Sequence, residues 1–337
     1  MTTQETRNLV LFGLSTRSEM FTEAFHNLGY EVATISDHPD PEQLSRATFC
    51  FINVYDGVRS PWAAIKLKHH LKRAGVPLIG IDRDGPWHMG RLVRQLKLFE
   101  WLRLLDIYAP HTLQPTYRFA TQVIYNANAV WVRNYNLHGK TLEEMRDPSF
   151  FRWDVSFVGN MSGERYKEHA ERQRFFAALR PRLEALGLRV LFRSSGGMSE
   201  QEQIDVIQRS IINLNYRSSC DHRSRAGVGM SWGLPERCYG VPARGGFMLS
   251  DQRRHAADDF SPGKEWADYR DFEDCIARIQ YYLGHFSETR AIAEAANARV
   301  MRDHTYEKRA EKLLEAAARW REAMTPQTTM TRTGSKP

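Results

Sequence analysis

The sequence predicts an α/β protein built from two halves, each with a parallel β-sheet, that join near residue 150. Short apolar runs alternate with helical patterns of about 10 to 15 residues, an order typical of βαβ units. This alternation stops before Trp153 and then starts again. The chain has 337 residues, of which 42% are hydrophobic, and this is enough apolar material for two cores.

Four apolar runs define the first half, which is expected to span residues 1–150. We predict strands at 9–14, 30–35, 47–54 and 76–81, and a last strand at 129–132 that closes the sheet. Ser15 and Thr16 can cap a helix at 19–28, which ends at Gly29. A second helix is predicted at 62–74.

The second half is expected to span residues 151–324, and its strands are again followed by helices. Strands are predicted at 155–158, 188–192, 211–214 and 247–249. Helices are predicted at 165–185, 204–209 and 272–283, and a long amphipathic helical region covers 287–323. This last region is free to pack back on the first half. Residues 325–337 are polar and lack periodicity, which predicts a disordered tail.

Composition narrows the class of protein. The 26% of charged residues is ordinary, and no apolar run reaches the about 18 residues of a membrane-spanning helix. The polar start lacks a basic-then-apolar leader, so a cytoplasmic location is expected. Four cysteines stand far apart without a Cys-x-x-Cys pair, which favours free thiols over zinc or disulfides. The net charge of +7 fits either arginine-rich surface helices or an anionic ligand such as a nucleoside diphosphate.

Two loops of the first half follow buried strands and are candidates for a site. Gly13 and Ser15 lie between the first strand and its helix, where they can form a tight turn or face a cleft between the halves. Asp82 and Asp84 lie at the carboxyl end of a strand, so they can act as a base or orient a hydroxyl. They can also neutralise Arg83 between them. Lone histidines are more often structural than catalytic, which applies to His111 and His222.

A further candidate site opens the second half. Gly159 and Asn160 follow the strand at 155–158, and a glycine there allows close approach of a backbone. The next helix would direct free N–H groups at an anion, with Arg165 in its first turn. Arg165 can bind a diphosphate through its forked guanidinium, or it can be a solvated surface group. Asn213 and Asn215 share a face of the strand at 211–214, and Asn215 at its end is the expected ligand contact.

The most informative stretch runs from Arg237 to Asp251. Arg237 leads into a short helical turn that Gly245 and Gly246 end, and the strand at 247–249 follows. Because α/β proteins bind nucleotides near the carboxyl ends of parallel strands, we predict a nucleotide site at this junction. The two glycines can serve tight helix–strand packing, close approach to a donor, or both.

Six ordered motifs resemble those of the CgeB-like (spore maturation protein type) glycosyltransferases of the GT-B superfamily. They occupy 155–160, 212–215, 237–251, 260–265, 281–285 and 304–309. The resemblance implies two Rossmann-like domains facing across a cleft. The second domain would hold the nucleotide of an activated sugar, and the first would hold the acceptor. The resemblance also implies retention of configuration without a metal, because basic side chains and a helix N-terminus would neutralise the leaving diphosphate.

These observations yield a predicted site. The expected catalytic residues are Asp82, Asp84 and Arg237. Donor contacts are expected from Gly159, Asn160, Arg165, Asn215, Glu236, Arg237, Gly245 and Gly246, and contacts on the acceptor side from Gly13 and Ser15. One position departs from the family. Gly240 stands where an acidic residue commonly binds ribose hydroxyls, and Glu236 would reach that place only if the turn were shifted.

The glycine at position 240 leaves other functions open. A GT-B-like protein without catalysis could bind nucleic acid or a protein through basic residues, of which Arg91, Arg94, Lys97 and Arg103 cluster on one helical face. Strong salt-dependent binding to DNA or RNA would favour that function. A transferase whose acceptor is a nucleic-acid base would combine both activities. A sugar-nucleotide epimerase or hydrolase on the same fold is a third alternative.

Overall fold

The computed structural model describes residues 7–83, 93–113, 118–162, 167–217 and 230–324. The predicted tail at 325–337 lies outside these residues, as do Asp84, Arg91, Arg165 and His222.

The first half contains one sheet of six parallel strands in the order β2-β1-β3-β4-β5-β6. The strands are β1 Leu9–Phe12, β2 Glu31–Thr34, β3 Ala47–Asn53, β4 Leu78–Asp82, β5 Ile107–Pro110 and β6 Gln122–Val123. The helices are α1 Glu19–Asn27, α2 Pro41–Arg46, α3 Val54–Arg59, α4 Pro61–Arg73 and α5 Val93–Leu102. Strands β1, β4 and β5 are buried along their whole length, as expected for a parallel sheet covered on both faces.

The second half contains five parallel strands in the order β11-β10-β9-β7-β8. The strands are β7 Trp153–Val158, β8 Val190–Arg193, β9 Ser210–Asn215, β10 Phe247–Asp251 and β11 Ala267–Tyr269. The helices are α6 Lys167–Glu184, α7 Glu200–Gln208, α8 Arg237–Ala243, α9 Ala256–Asp259, α10 Phe272–Gly284, α11 Phe286–Asp303 and α12 Tyr306–Met324. The predicted fold class, two parallel-sheet α/β halves, is confirmed.

Short polar signals set where several helices begin. The Ser18 side chain accepts a hydrogen bond from the Phe21 N–H and caps α1. Asp40 caps α2 in a capping box with Gln43. Ser199 and Glu202 form the same arrangement at α7. These caps end the loops that follow β1, β2 and β8 and fix where α1, α2 and α7 begin.

Both sheets have a topological switch point, where successive connections leave to opposite sides. In the first sheet it lies between β1 and β3, and in the second between β7 and β9. Open α/β sheets bind ligands in the crevice at such a point, beyond the carboxyl ends of the strands. Candidate site residues are therefore those that follow Phe12, Asn53, Val158 and Asn215, where the strands flanking the two switch points end.

The first sheet is closed differently from the prediction. The predicted strand at 129–132 is wrong, because Val130 makes only an isolated bridge with Thr305. Strands β5 and β6 close the sheet instead, and their shortness hid them in the sequence. The predicted helical region at 287–323 is two helices that break at His304 and Thr305.

Helix α12 packs back on the first half, as predicted. Tyr306, Ala310 and Leu313 enter the core that α1 shares with the first sheet. The Arg309 side chain holds α12 against the first half. Its Nε donates to the Ala127 carbonyl at 2.8 Å, and its Nη2 donates to the Asn128 carbonyl at 2.8 Å. Within the part of the chain that the structure describes, no helix has both the length and the apolar character needed to cross a membrane.

The break between α11 and α12 holds a buried neutral histidine. His304 Nε2 donates to the Asp259 carbonyl at 2.8 Å, and Nδ1 accepts from Arg309 Nη2 at 2.8 Å. An arginine can only donate, so Nδ1 must be unprotonated. Burial, together with the Arg309 charge, lowers the pKa of His304 to about 4.

This histidine makes a prediction about pH. Its folded pKa lies below the ordinary value near 6.5, so the unfolded chain takes up the proton first as the pH falls. The free energy of unfolding should therefore decrease by about 3 kcal/mol between pH 6.5 and pH 4 through His304 alone. His304→Gln should remove this component in urea unfolding measured at several pH values. His69→Gln, at an exposed position, is the control, and equal pH slopes for His304→Gln and the wild type would contradict the prediction.

Candidate active site

Arg237 lies at the switch point of the second sheet. It is the first residue of α8, and its side chain reaches the carboxyl ends of both strands that flank that point. Nε donates to the Val158 carbonyl at 3.0 Å, and Nη1 donates to Asn215 Oδ1 at 3.0 Å. Among the described residues, Nη2 has no hydrogen-bond partner. The guanidinium is thus fixed in position with donor capacity left for a ligand.

Gly159 makes room for this arginine. A Cβ at residue 159 would lie 1.9 Å from Arg237 Nη2 and 3.0 Å from Phe157 Cζ. The guanidinium also lies over the Phe157 ring, 4.4 Å from its centroid. Burial lowers the pKa of Arg237 to about 10, so the group stays cationic at neutral pH. The glycine was predicted to contact a donor, and in the structure its open side is filled by Arg237.

Asn215 holds the arginine rather than standing free for a ligand. Its Nδ2 donates to Ser250 Oγ at 3.1 Å and to Asp251 Oδ1 at 3.0 Å, while its Oδ1 accepts from Arg237. Arg253 Nη2 also donates to Asp251 Oδ1 at 2.8 Å. Asn213 is a buried hydrogen-bonding group, since its Oδ1 accepts from Ser156 Oγ. The Asn215 amide therefore links the end of β10 to Arg237 and holds the guanidinium in place.

A second buried arginine ties together the loops at this edge. Arg172 of α6 donates to the carbonyls of Asn160, Tyr216 and Arg217, at 2.6, 3.1 and 3.0 Å. The Asn160 side chain is exposed and accepts from the Ser162 N–H at 2.9 Å. Arg172 was not predicted. The sequence did contain one sign of this role, because Arg172 lies on the same side of the helix as the buried residues Phe176 and Leu179.

Glu236 joins the two halves of the molecule. Its Oε2 lies 3.0 Å from Arg83 Nη2, so Arg83 pairs across the cleft with the second half. Tyr135 lies beside the same carboxylate, and burial together with the Glu236 charge raises the pKa of Tyr135 to about 12. The predicted set contained Glu236, but Arg83 entered only as a group neutralised by its neighbours, and Tyr135 was missed.

Tyr135 also explains the glycine at position 240. A Cβ on Gly240 would lie 2.5 Å from Tyr135 Cε1 and 2.8 Å from Cδ1. The Arg244 guanidinium covers the ring from another side, 4.4 Å from its centroid. An acidic side chain at residue 240 would therefore have to displace the tyrosine. In this chain the carboxylate near the start of α8 is Glu236 instead.

Asp82 ends β4 at the carboxyl edge of the first sheet and is buried. Tyr108 donates its hydroxyl hydrogen to Asp82 Oδ2 at 2.8 Å. The His111 ring contacts the Asp82 carbonyl, with Nδ1 at 3.1 Å, which fits the structural role expected for this histidine. The carboxylate thus has a fixed orientation, one residue away from the Arg83–Glu236 pair that spans the halves.

The Gly13 loop is a tight turn at the switch point of the first sheet. A Cβ on Gly13 would lie 2.6 Å from Leu67 Cδ2, and both Leu14 and Ser15 have positive φ, 55° and 57°. The Leu14 and Ser15 N–H groups donate to the carbonyls of residues 36 and 35. Because both N–H groups already have backbone acceptors, they are not available to bind a phosphate. Ser15 itself is exposed.

Gly245 and Gly246 do not join Arg237. They precede Phe247, which pairs with Ile212 near the amino end of β9, whereas Asn215 lies at the carboxyl end. The Gly245 position faces Met145, whose sulfur would lie 2.7 Å from a Cβ at residue 245. The prediction of a nucleotide site at the end of this turn is therefore wrong, because α8 runs from the carboxyl edge to the amino edge. Only its start lies in the crevice.

Two Rossmann-like halves whose carboxyl edges meet at the Arg83–Glu236 pair form the GT-B architecture of glycosyltransferases. Sucrose-phosphate synthase (tll1590) from Thermosynechococcus elongatus shares it with a TM-score of 0.60 and 11% identity, over 94% of this chain and 99% of that one. Alr3699/HepE of Anabaena, solved with UDP-glucose, gives a TM-score of 0.51 and 12% identity, over 92% and 99%. An alpha-glucosyltransferase solved with UDP and a 13-mer DNA containing a HMU base gives 0.53 and 12%, over 92% and 98%. At these identities the likeness is one of fold.

The family model described as glycosyl transferase-like matches residues 131–315, more than half of the chain. The chain therefore belongs to this glycosyl transferase-like family, and its enzyme class is that of the glycosyltransferases. No curated protein matches the sequence. Within the described residues, no three His, Cys, Asp or Glu side chains are grouped so that they could hold a metal ion.

The fit of Arg237 against Gly159 can be tested by a double-mutant cycle. Gly159→Ala should lower the free energy of unfolding by about 1–3 kcal/mol, because the new methyl group overlaps the guanidinium. In an Arg237→Ala background the same change should cost much less, since the clashing group is absent. Urea unfolding measures both costs. Gly284→Ala, which meets open space, is the control. Equal costs of Gly159→Ala in both backgrounds would show that the two residues do not compete for this space.

Proposed function

We propose that the chain transfers a sugar from a nucleotide-sugar donor to an acceptor hydroxyl, and that Arg237 binds the donor diphosphate. The observation that carries this proposal is the partly buried guanidinium held at the switch point by Val158 and Asn215. Membership of the glycosyl transferase-like family supports it. The CgeB-like subfamily remains our assignment within that family, based on the six ordered motifs.

The chemistry follows from the leaving group. When the glycosidic bond to the diphosphate breaks, negative charge develops on the phosphate oxygens. A cation already fixed by backbone and amide contacts stabilises that charge without reorganising during the reaction. Asp251, Arg253 and Asn215 fix Arg237 in this way through their hydrogen bonds. We expect Arg165 and the amino-terminal end of α6 to assist, and Asn160 to lie at the edge of the same donor site.

The two halves have separate roles in this proposal. Residues 151–324 form the donor domain, and residues 1–150 form the acceptor domain, with Asp82 and Asp84 near the acceptor hydroxyl. The Tyr108 hydroxyl orients the Asp82 carboxylate, which can also accept a hydrogen bond from the hydroxyl of the acceptor substrate. Ser15 is exposed at the switch point of the first sheet and can contact an acceptor there. Glu236 is placed to accept hydrogen bonds from donor hydroxyls in place of a residue at position 240.

Structural neighbours suggest which donors to try first. The Anabaena protein was solved with UDP-glucose, and the DNA-bound glucosyltransferase with UDP. We therefore propose UDP-sugars as the first donor panel. The acceptor panel combines sugars, lipids, peptides and DNA, because a nucleic-acid base is the second candidate acceptor. Formation of UDP with a glycosylated product would support the proposal, whereas no transfer, no donor hydrolysis and no nucleotide binding would refute it.

Two finer features of the reaction are predictions of the same proposal. We expect the anomeric configuration of the donor to be retained, which proton NMR of the first-formed product would show. We also expect turnover to persist in EDTA, since cationic side chains are proposed to neutralise the diphosphate. An inverted product, or activity that returns only when a divalent cation is added, would contradict these predictions.

Removal of Arg237 tests the proposed donor site. Arg237→Ala should weaken binding of UDP by about 1.5–3 kcal/mol, the range for a hydrogen bond to a charged group, which calorimetry would measure as a roughly 10- to 150-fold increase in Kd. Arg165→Ala should act in the same direction. Arg278→Ala is the matched control, because this arginine is on α10 and pairs with Asp274. Unchanged UDP affinity in both site variants would overturn their assigned roles.

A further inference from the structure

Two tryptophans of the first half are unusually exposed. The relative exposure of Trp62 is 71% and that of Trp101 is 79%, higher than that of any other large hydrophobic residue described. Tryptophan is highly buried on average in folded proteins. An isolated exposed residue needs no explanation, so the significance of these two depends on what surrounds them.

Trp62 is the first residue of a solvent-exposed stripe along α4. Lys66, His69 and Arg73 follow it at spacings of four, three and four residues, which places all of them on one side of the helix. All four are exposed. The opposite side of α4 is buried in the core of the first half and carries Ala64, Leu67 and Leu71.

Helix α5 carries a similar stripe that ends in Trp101. Arg94 and Lys97 precede it at spacings of three and four residues, and both are exposed. The buried side of α5 carries Leu96 and Phe99. Both helices contribute to the same core cluster, so they cover the same face of the first sheet and their stripes face outward together.

These two stripes form one surface, called here the α4–α5 face, which consists of Trp62, Lys66, Arg73, Arg94, Lys97 and Trp101. The surface is strongly cationic. Helix α4 contains no acidic residue, and the single one in α5, Glu100, accepts from the Arg118 N–H at 2.8 Å. Asp37 lies 3.8 Å from Lys66, where it offsets one of the charges. The partner of this face must therefore be anionic and must accommodate exposed indole rings.

We propose that the α4–α5 face docks the protein on the surface of an anionic lipid bilayer. Both helices run from the carboxyl edge of the first sheet towards its amino edge. Trp62 lies in the first turn of α4 and Trp101 in the last turn of α5, so the two rings lie at opposite ends of the surface. A helix of the length of α4 spans about 20 Å, and the cations lie between the rings.

This arrangement favours a bilayer over a single-stranded nucleic acid. Indole rings settle at the headgroup level of a membrane while lysine and arginine contact the lipid phosphates, and a flat bilayer reaches both ends of the face at once. Proteins that bind single strands place aromatic rings along a basic groove so that successive bases stack on them. The α4–α5 face is the outside of a helical layer, and its two tryptophans are separated by charged residues.

Co-sedimentation of the full chain with lipid vesicles tests the proposal. The protein should bind vesicles that contain about a third phosphatidylglycerol at least tenfold more tightly than vesicles of phosphatidylcholine alone. Binding should weaken strongly in about 0.5 M NaCl, because salt screens exposed charges. Trp62→Ala/Trp101→Ala should reduce the binding at least fivefold, and Lys66→Glu/Lys97→Glu should reduce it further.

Matched controls separate docking from folding and from donor binding. Tyr281→Ala removes another exposed aromatic side chain, 41% exposed on α10, and should leave vesicle binding unchanged. Circular dichroism and UDP binding should be the same in all variants, because none of the substituted residues lies near Arg237. The outcome is thus independent of whether the proposed glycosyl transfer is correct.

Three results would overturn the proposal. The first is equal affinity for neutral and anionic vesicles, and the second is an unchanged affinity after both tryptophans are replaced. The third is tight, salt-dependent binding of oligo-dT that the tryptophan substitutions abolish while vesicle binding persists. That third result would assign the α4–α5 face to nucleic acid.

Discussion

The site depends on one interaction, the anchoring of the Arg237 guanidinium between the ends of β7 and β9. A cation of this kind is costly to bury unless its hydrogen bonds are satisfied, and the Val158 carbonyl and the Asn215 amide satisfy two of them. Several features of the surrounding sequence follow from this need. Residue 159 must lack a side chain, residue 215 must offer an acceptor, and Asp251 must orient that amide. The positive charge of Arg237 is therefore held at the crevice by the framework of the second sheet.

A second constraint is the joint between the halves. Tyr135 fills the space beside Gly240 and lies next to Glu236, and Glu236 pairs with Arg83 of the first half. At the start of α12, Arg309 donates to the Ala127 carbonyl of the first half, and His304 donates to the Asp259 carbonyl of the second half. Both connections are polar and use groups distant in sequence. The relative position of the two halves is thus set by these directional contacts together with the apolar packing of α12 on the first half.

Sequence reasoning located much of the fold and part of the site. Buried strands and helical periodicity predicted two parallel sheets. Arg237 was predicted as a site residue, although the reason given was the helix-to-strand junction that follows it. Gly245 and Gly246 were misplaced although the sequence contained the answer, because a helix that starts at the carboxyl edge must end at the amino edge. Arg83 and Tyr135 could not be predicted in this way. Their partner is Glu236, and contacts over such separations leave no local pattern in the chain.

The return of α12 to the first half has a consequence for biosynthesis. One face of the first sheet is covered by Tyr306, Ala310 and Leu313, which come after all strands of the second sheet in the chain. Until these residues have been synthesised, the strands of the first sheet keep an uncovered apolar surface, while the second half can already complete its main core. The first half can therefore complete its core only after the second half has been synthesised, although its own strands come earlier in the chain.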